Sequence, residues 1–204
     1  MASEDDDPWR ANRKDVRTAL DTVGTEGTVV TVADVEGSAY RRPGAKMVVT
    51  AAGVDRGAVT AGCLEPSVVD ICESVRETGR SRTERFDLTE SGESWGLGLG
   101  CNGIIDLLIE PRDRSWDVIL EAVQASVPIT VVTIVESDAE TAVGDRVVID
   151  DGVRSVPDRD DIPDRYLDRA RDTVDRVAGT GQTATVSSGD TTLLVDSLEP
   201  TPEL

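Results

Sequence analysis

The alternation of apolar and polar positions predicts helices and strands in mixed order along the whole chain. Apolar residues recur at helical spacing in some segments, and β-branched runs between them are typical of buried strands. The predicted helices cover Trp9–Gly24, Pro66–Gly79, Ser115–Val127 and Pro163–Ala178. The predicted strands cover Thr28–Val35, Lys46–Thr50, Gly57–Ala61, Arg82–Leu88, Ile104–Glu110, Ile129–Val135, Val147–Asp150, Val153–Val156, Thr183–Val186 and Thr191–Leu198.

This order of elements predicts an α/β fold. Strands and helices do not follow the strict βαβ alternation of a doubly wound sheet, so we expect a mixed sheet with flanking helices. No internal repeat is apparent. Residues 1–8 are expected to form a disordered acidic leader and residues 9–111 a domain. Residues 112–204 are expected to continue that domain or to form a small second subdomain.

The net charge of the chain restricts which macromolecules it can bind. The 204 residues include 40 acidic and 21 basic ones, which gives a net charge of −19. Only Lys14 and Lys46 are lysine. A dispersed acidic surface with little lysine is typical of a protein from a high-salt cytoplasm, such as that of a haloarchaeon, because salt screens its self-repulsion. The charge argues against nucleic acid and anionic membranes as partners. The acidic N-terminus and the lack of a long apolar run predict a soluble, cytoplasmic protein.

The residue inventory removes several kinds of catalysis. The chain has no histidine, which excludes Ser-His-Asp and Cys-His catalysis and any histidine metal ligand. Cys63, Cys72 and Cys101 are odd in number and lack the CxxC spacing of a zinc site. The remaining chemical groups are thiols, carboxylates, arginines and backbone amides.

Two of the thiols are candidates for chemistry. Cys101 lies in a glycine-rich segment, where we expect it to be accessible. Cys63 lies just before a predicted helix, whose N-terminus lowers the pKa of a thiol, although simple packing explains its position equally well. Cys72 lies on the apolar stripe of that helix and is expected to be inert.

The glycine-rich segment contains the spacing Gly98-x-Gly100-x-x-Gly103 of a dinucleotide fingerprint. It lacks the preceding strand and following helix that this fingerprint requires, so we reject a Rossmann interpretation. The segment either approaches an anionic ligand closely or is a tight strand connection without a ligand. Arg41 and Arg42 form a second candidate, for which phosphate capture and surface ion pairing are the alternatives.

Three segments resemble the motifs of the XdhC/CoxI family, the accessory factors of molybdenum hydroxylases. They are Gly37–Met47 (GSAYRRPGAKM), Gly57–Glu65 (GAVTAGCLE) and Leu97–Asp106 (LGLGCNGIID) with Glu110-Pro111. Tyr40, Thr60-Ala61 and Asn102 depart from the usual motif residues. In the family, a segment similar to Leu193–Leu204 leads into a Rossmann-like domain, so the chain is expected to be a stand-alone half or a fragment.

The resemblance implies a maturation factor rather than an enzyme. Such a factor binds molybdenum cofactor, as molybdopterin or its dinucleotide form, and helps to sulfurate it and insert it into a xanthine dehydrogenase or CO dehydrogenase type enzyme. The implied partners are the apo molybdenum hydroxylase, a cysteine desulfurase, a separate Rossmann partner and a second copy of the chain. A persulfide sulfur carrier and a docking half without a ligand are the alternatives.

The resemblance also implies the site. Cys101 and Cys63 are the candidate thiols, and Cys101 is the expected molybdenum contact. The expected cofactor-binding residues are Gly37, Ser38, Arg41, Arg42, Gly44, Gly62, Cys63, Glu65, Gly98, Gly100, Cys101, Asn102 and Gly103.

The acidic composition predicts a salt requirement. We expect the chain to lose structure on transfer from molar KCl to dilute buffer, because the Debye length of about 3 Å at 1 M salt lengthens and the acidic groups then repel one another. Circular dichroism in the two buffers measures this. An unchanged spectrum would contradict it.

Overall fold

Two compact units make up the chain in this computed structural model. Unit 1 comprises Met1–Arg80 and Glu84–Arg112, and unit 2 comprises Ser81–Thr83 and Asp113–Leu204. The predicted α/β fold with flanking helices is confirmed, and its strands form two five-stranded sheets. The structure describes residues 13–62, 64–89, 102–137, 141–155 and 162–199.

The first sheet belongs to the N-terminal half of the chain. Its elements are α1 (Arg13–Val23), β1 (Thr28–Ser38), β2 (Lys46–Thr50), β3 (Gly53–Gly57), α2 (Glu65–Thr78), β4 (Arg82–Asp87) and β5 (Asn102–Pro111). The strand order is β3-β2-β1-β5-β4. The β1 strand lies in the middle of this sheet. Its first six residues are buried on both faces, as its β-branched sequence predicts.

The core of unit 1 lies between this sheet and α2. Apolar residues on one face of each strand meet the apolar stripe of α2, where Val68, Cys72 and Val75 recur at helical spacing. The helix ends at Gly79, which has a φ of 64° and donates its backbone N–H to the Val75 carbonyl at 2.9 Å. The buried cluster comprises Val30, Val32, Met47, Val49, Val59, Leu64, Val68, Cys72, Val75, Ile105, Leu107 and Ile109.

The second sheet belongs to the C-terminal half. Its elements are α3 (Ser115–Gln124), β6 (Ile129–Glu136), β7 (Arg146–Asp150), β8 (Val153–Ser155), α4 (Asp164–Val177), β9 (Thr183–Ser188) and β10 (Thr191–Leu198). The strand order is β8-β7-β6-β10-β9. Helix α4 packs on this sheet through a cluster of its own. The cluster comprises Val132, Ile134, Val147, Ile162, Tyr166, Ala170, Val177, Leu193 and Val195.

The two sheets repeat one topology. In each, a helix leads into the central strand, two short antiparallel strands follow on one side, and a helix then leads to the last two strands on the other side. The central strands begin alike, as Thr-Val-Val-Thr-Val at Thr28–Val32 and Thr-Val-Val-Thr-Ile at Thr130–Ile134. The expectation that the chain contains no repeat is therefore wrong at the level of strand topology.

The same hydrogen bonds close the first loop of each repeat. In unit 1 the Val32 N–H donates to the Ala45 carbonyl at 2.9 Å, and the Gly44 N–H donates to the Val32 carbonyl at 2.8 Å. In unit 2 the Ile134 N–H donates to the Asp145 carbonyl at 2.8 Å, and the Gly144 N–H to the Ile134 carbonyl at 2.9 Å. The match extends the repeat from topology to individual backbone contacts.

Two strand predictions need correction. The third strand is Gly53–Gly57 rather than Gly57–Ala61. A two-residue turn at positions 51 and 52, followed by Gly53 with a φ of 108°, starts the strand early. The apolar residues Ala58 and Val59 are buried without being part of a strand, which misled the pattern. The first strand continues to Ser38, because a bulge between Val32 and Asp34 lets pairing with β5 resume.

In the described part of the chain, no helix is long and apolar enough to cross a membrane.

Cys72 gives unit 1 a pH-dependent contribution to stability. Burial raises the pKa of its thiol from 9.0 to about 12, while Arg76 acts in the opposite direction. Because the folded pKa is the higher one, the resulting stabilisation is complete below pH 9.0 and is lost as the pH rises towards 12. We expect the free energy of unfolding to fall less steeply above pH 9.0 in Cys72→Ala than in the parent chain. Denaturant titrations in molar KCl at several pH values measure the two slopes, and equal slopes would contradict this assignment.

Candidate functional site

The first motif forms the end of β1 and the loop at positions 39–45, here called the arginine loop. Gly37 and Gly44 have φ values of 80° and 88°, which favour glycine at both ends of the loop. The Ala45 N–H donates to the Arg42 carbonyl at 3.1 Å, and Lys46 Nζ donates to the Gly44 carbonyl at 3.3 Å. These bonds hold the end of the loop by its backbone carbonyls.

The arginine loop presents two guanidinium groups with different surroundings. Arg42 is exposed, whereas Arg41 is partly buried. The guanidinium carbon of Arg41 lies 5.1 Å from the centre of the Tyr40 ring, within cation–π range. Tyr40 is 63% exposed and is the only exposed large hydrophobic residue in the described part of the chain. The loop therefore offers positive charge and an aromatic ring side by side.

The first and third motifs meet directly in the sheet. Along the β1–β5 pair, Gly37 lies opposite Gly103 and Ser38 lies opposite Asn102. A Cβ on Gly103 would lie 2.5 Å from the Glu36 carbonyl oxygen and 2.8 Å from that of Ser38. Because those are backbone atoms, only glycine allows this approach. The glycines at positions 37 and 103 thus serve the pairing of the two motifs.

The second motif is held by a buried carboxylate. Glu65 is 4% exposed. Its Oε1 accepts a hydrogen bond from Thr60 Oγ1 at 2.6 Å, and its Oε2 accepts one from the Leu64 backbone N–H at 3.1 Å. The Gly62 N–H donates to Thr60 Oγ1 at 3.3 Å, and Gly62 has a φ of 106°. The part that Thr60 plays in this arrangement was not predicted from the sequence, since nothing at its own position indicates a partner five residues away.

All three motifs contribute to the core cluster of unit 1. Val59 and Leu64 of the second motif and Ile105 of the third are buried in it. Ala39 and Ala45, at the two ends of the arginine loop, pack against the same cluster. The apolar positions of the motifs therefore pack segments that are distant in sequence into one core cluster.

Two carboxylates near the paired glycines share one arginine as their ion-pair partner. Arg85 donates to Glu36 Oε1 at 2.5 Å and to Asp106 Oδ2 at 3.0 Å. All three side chains are on strands β1, β4 and β5. Within the described residues, no group of three or more Cys, Asp or Glu side chains is arranged to hold a metal ion.

Several predicted site residues lie outside the described residues. These are Cys63, Gly98, Gly100 and Cys101, and for Asn102 only the backbone is described. Their predicted roles stay predictions. The structure places the remaining predicted residues in the three segments above: Gly37, Ser38, Arg41, Arg42, Gly44, Gly62, Glu65 and Gly103.

A family model matches this part of the molecule. Residues 21–87 match the model of the XdhC and CoxI family. Residues 21–87 thus form an XdhC and CoxI family domain. The resemblance seen in the sequence is thereby confirmed for these residues, which contain the first two motifs. The third motif follows the matched range and joins the XdhC/CoxI domain through the pairing of β5 with β1.

Two known proteins are similar over a larger part of the chain. A protein of Bacillus subtilis (strain 168), described as a probable subunit of xanthine dehydrogenase, is 31% identical over 117 residues, which cover 55% of this chain and 36% of that protein. A crystal structure described as a xanthine dehydrogenase from Bacillus halodurans has a TM-score of 0.67 at 24% identity, covering 91% of this chain and 52% of that one. The chain thus spans about a third and about half of these relatives, and the second likeness shows the fold.

Proposed function

We propose that the chain is an accessory factor of a molybdenum hydroxylase that binds molybdenum cofactor and supports its sulfuration and insertion. The observation that carries the proposal is the direct pairing of the first and third motifs at Gly37 and Gly103, near the end of β1, while the second motif packs into the same core cluster of unit 1. The XdhC/CoxI domain and the Bacillus subtilis relative, described as part of a xanthine dehydrogenase, support the same class of client enzyme.

The groups at this end suit a phosphate-bearing ligand. Arg41 and Arg42 supply two guanidinium groups, which bind phosphate through paired N–H donors. When bound, the cofactor supplies a molybdenum centre that accepts a terminal sulfur ligand. A soft thiolate is a suitable neighbour for such a metal, and without histidine the chain has thiolate or oxygen ligands to offer. Cys101, and with it Cys63, is proposed for that role.

Comparison of the two repeats shows which features of unit 1 are absent from the same fold in unit 2. In unit 2 a two-residue turn at positions 189 and 190 joins β9 to β10, whereas in unit 1 residues 88–101 join the equivalent strands. In the equivalent loop of unit 2, the Asp145 N–H donates to the Ala142 carbonyl at 3.0 Å. This bond matches the one from the Ala45 N–H to the Arg42 carbonyl in unit 1, so Ala142 is the residue equivalent to Arg42. The fold therefore requires neither the long glycine-rich connection nor the arginines, which supports a ligand-binding role for both.

The partners follow from this role. The apo molybdenum hydroxylase receives the cofactor, and a cysteine desulfurase supplies the sulfur. A second copy of the chain and a separate Rossmann partner are further proposed partners. The persulfide carrier and the ligand-free docking half remain alternatives, which the experiment below distinguishes.

A titration with molybdenum cofactor tests the proposal. In molar KCl without oxygen, we expect stoichiometric binding that weakens about tenfold or more in Arg41→Ala/Arg42→Ala, since each charge-assisted hydrogen bond contributes about 1.5–3 kcal/mol. The matched control is Arg169→Ala/Arg176→Ala, which removes two exposed arginines from α4 and should leave binding unchanged. Cys101→Ala should also weaken binding.

Each alternative has its own result in this experiment. A folded chain that binds no cofactor would overturn the proposal. If that chain instead gains about 32 Da on Cys101 after incubation with a cysteine desulfurase, one sulfur atom on the thiol, the persulfide carrier is favoured. If binding appears only after addition of a Rossmann partner, the docking half is favoured. Unchanged binding in both Cys101→Ala and Cys63→Ala would remove the thiols from the site.

A further inference from the structure

We propose that Glu65 is a positioning residue, whose buried carboxylate ties together Thr60 and Leu64, the described residues on either side of Cys63, and thereby sets the reactivity of the Cys63 thiol. This deepens the proposed function and rests on it, because Cys63 is one of the two thiols proposed to face the cofactor. Glu65 itself does not need to touch the cofactor for this role.

Both hydrogen bonds of the carboxylate go to the same short segment. One reaches Thr60 Oγ1 at 2.6 Å and the other reaches the Leu64 N–H at 3.1 Å, so the two bonds bracket the residues between them. Thr60 is 1% exposed and Leu64 is fully buried, which anchors both ends in the core of unit 1. Between them, Gly62 has a φ of 106°, a conformation that other residues rarely adopt.

Core packing does not explain a carboxylate at this position. Burying a carboxylate costs free energy that hydrogen bonds or an ion pair must offset. No lysine or arginine of the described residues forms an ion pair with Glu65, and its described hydrogen bonds are the two to Thr60 and Leu64. Both hydrogen bonds of the carboxylate therefore act on the shape of the segment that it holds.

The equivalent helix of unit 2 provides an internal comparison. Helix α4 also begins with an acidic residue, Asp164, but its side chain is 86% exposed and pairs with Arg154 at 2.7 Å. The repeat thus folds with a solvated acid at the start of this helix. The buried carboxylate is specific to unit 1, the unit that carries the XdhC/CoxI motifs.

Thiol modification tests the proposal without any cofactor. In a Cys101→Ser background, Cys63 and Cys72 remain, and Cys72 reports unfolding because it is buried and burial raises its pKa to about 12. Iodoacetamide labelling in molar KCl, followed by mass spectrometry of each cysteine peptide, gives both rates. An unstructured peptide with the sequence of residues 58–68 supplies the reference rate for Cys63.

We expect Cys63 in the parent chain to react at a rate at least about fivefold different from that of the peptide. Glu65→Ala and Thr60→Val should bring the rate to within about twofold of the peptide, because each removes a bond that fixes the segment. Thr60→Ser keeps the hydroxyl, and Glu77→Ala removes an exposed acid from α2, so both should react like the parent chain. The Cys72 rate should stay unchanged throughout.

Two results would overturn the positioning role. One is a Cys63 rate in folded Glu65→Ala equal to that of the parent chain. The other is a joint rise of the Cys63 and Cys72 rates in both Glu65→Ala and the milder Thr60→Val, which would assign Glu65 to global stability alone. The labelling experiment uses no cofactor, so its outcome is independent of the cofactor titration. If the titration fails but the labelling rates are as expected, the proposed function is removed and the positioning role of Glu65 stands.

Discussion

The backbone pairing of β1 with β5 is the constraint on which the candidate site depends. It sets Gly37 against Gly103 and so joins two motifs that are distant in sequence. The bulge between Val32 and Asp34 makes this possible, because it adds one residue to the alternation. Val32 and Val35 then both pack against the cluster under α2, although strict alternation would place them on opposite faces. A shift of this register by one residue would exchange the two faces of β1 and separate the motifs.

The two repeats show which parts of the scaffold are common to both units and which are found only in unit 1. One scaffold of five strands and a packed helix is built twice, with matching backbone hydrogen bonds at the first loop. Unit 2 shows the scaffold with a two-residue turn between its last two strands and no arginines in the first loop. Unit 1 adds the arginine loop, a buried carboxylate at the start of its helix and the long connection at positions 88–101. The arginine loop, the buried carboxylate and the end of the long connection belong to the segments that resemble XdhC/CoxI motifs.

Most helices and strands could be predicted from the sequence because the residues that define them lie within the element or next to it. Proline near the start of α2 and Gly79 at its end define that helix, and a β-branched run defines β6. The continuation of β1 to Ser38 depends on a partner strand that the local sequence does not reveal. The repeat is not apparent in the sequence, because the two copies share identical residues at only a few strand positions and their loops differ in length. The motifs predicted the three segments, whereas the Glu65–Thr60 bond depends on how the chain turns back on itself.

The central claim is that the long connection in unit 1 serves ligand binding and not folding. The direct measurement replaces residues 89–101 with the Gly-Asp turn of unit 2, keeping Leu88, whose N–H donates to the Gly103 carbonyl at 2.9 Å. The account predicts a folded variant, with the circular dichroism spectrum and melting temperature of the parent chain in molar KCl, that no longer binds molybdenum cofactor. A variant that fails to fold, or one that folds and binds the cofactor as the parent chain does, would contradict the account.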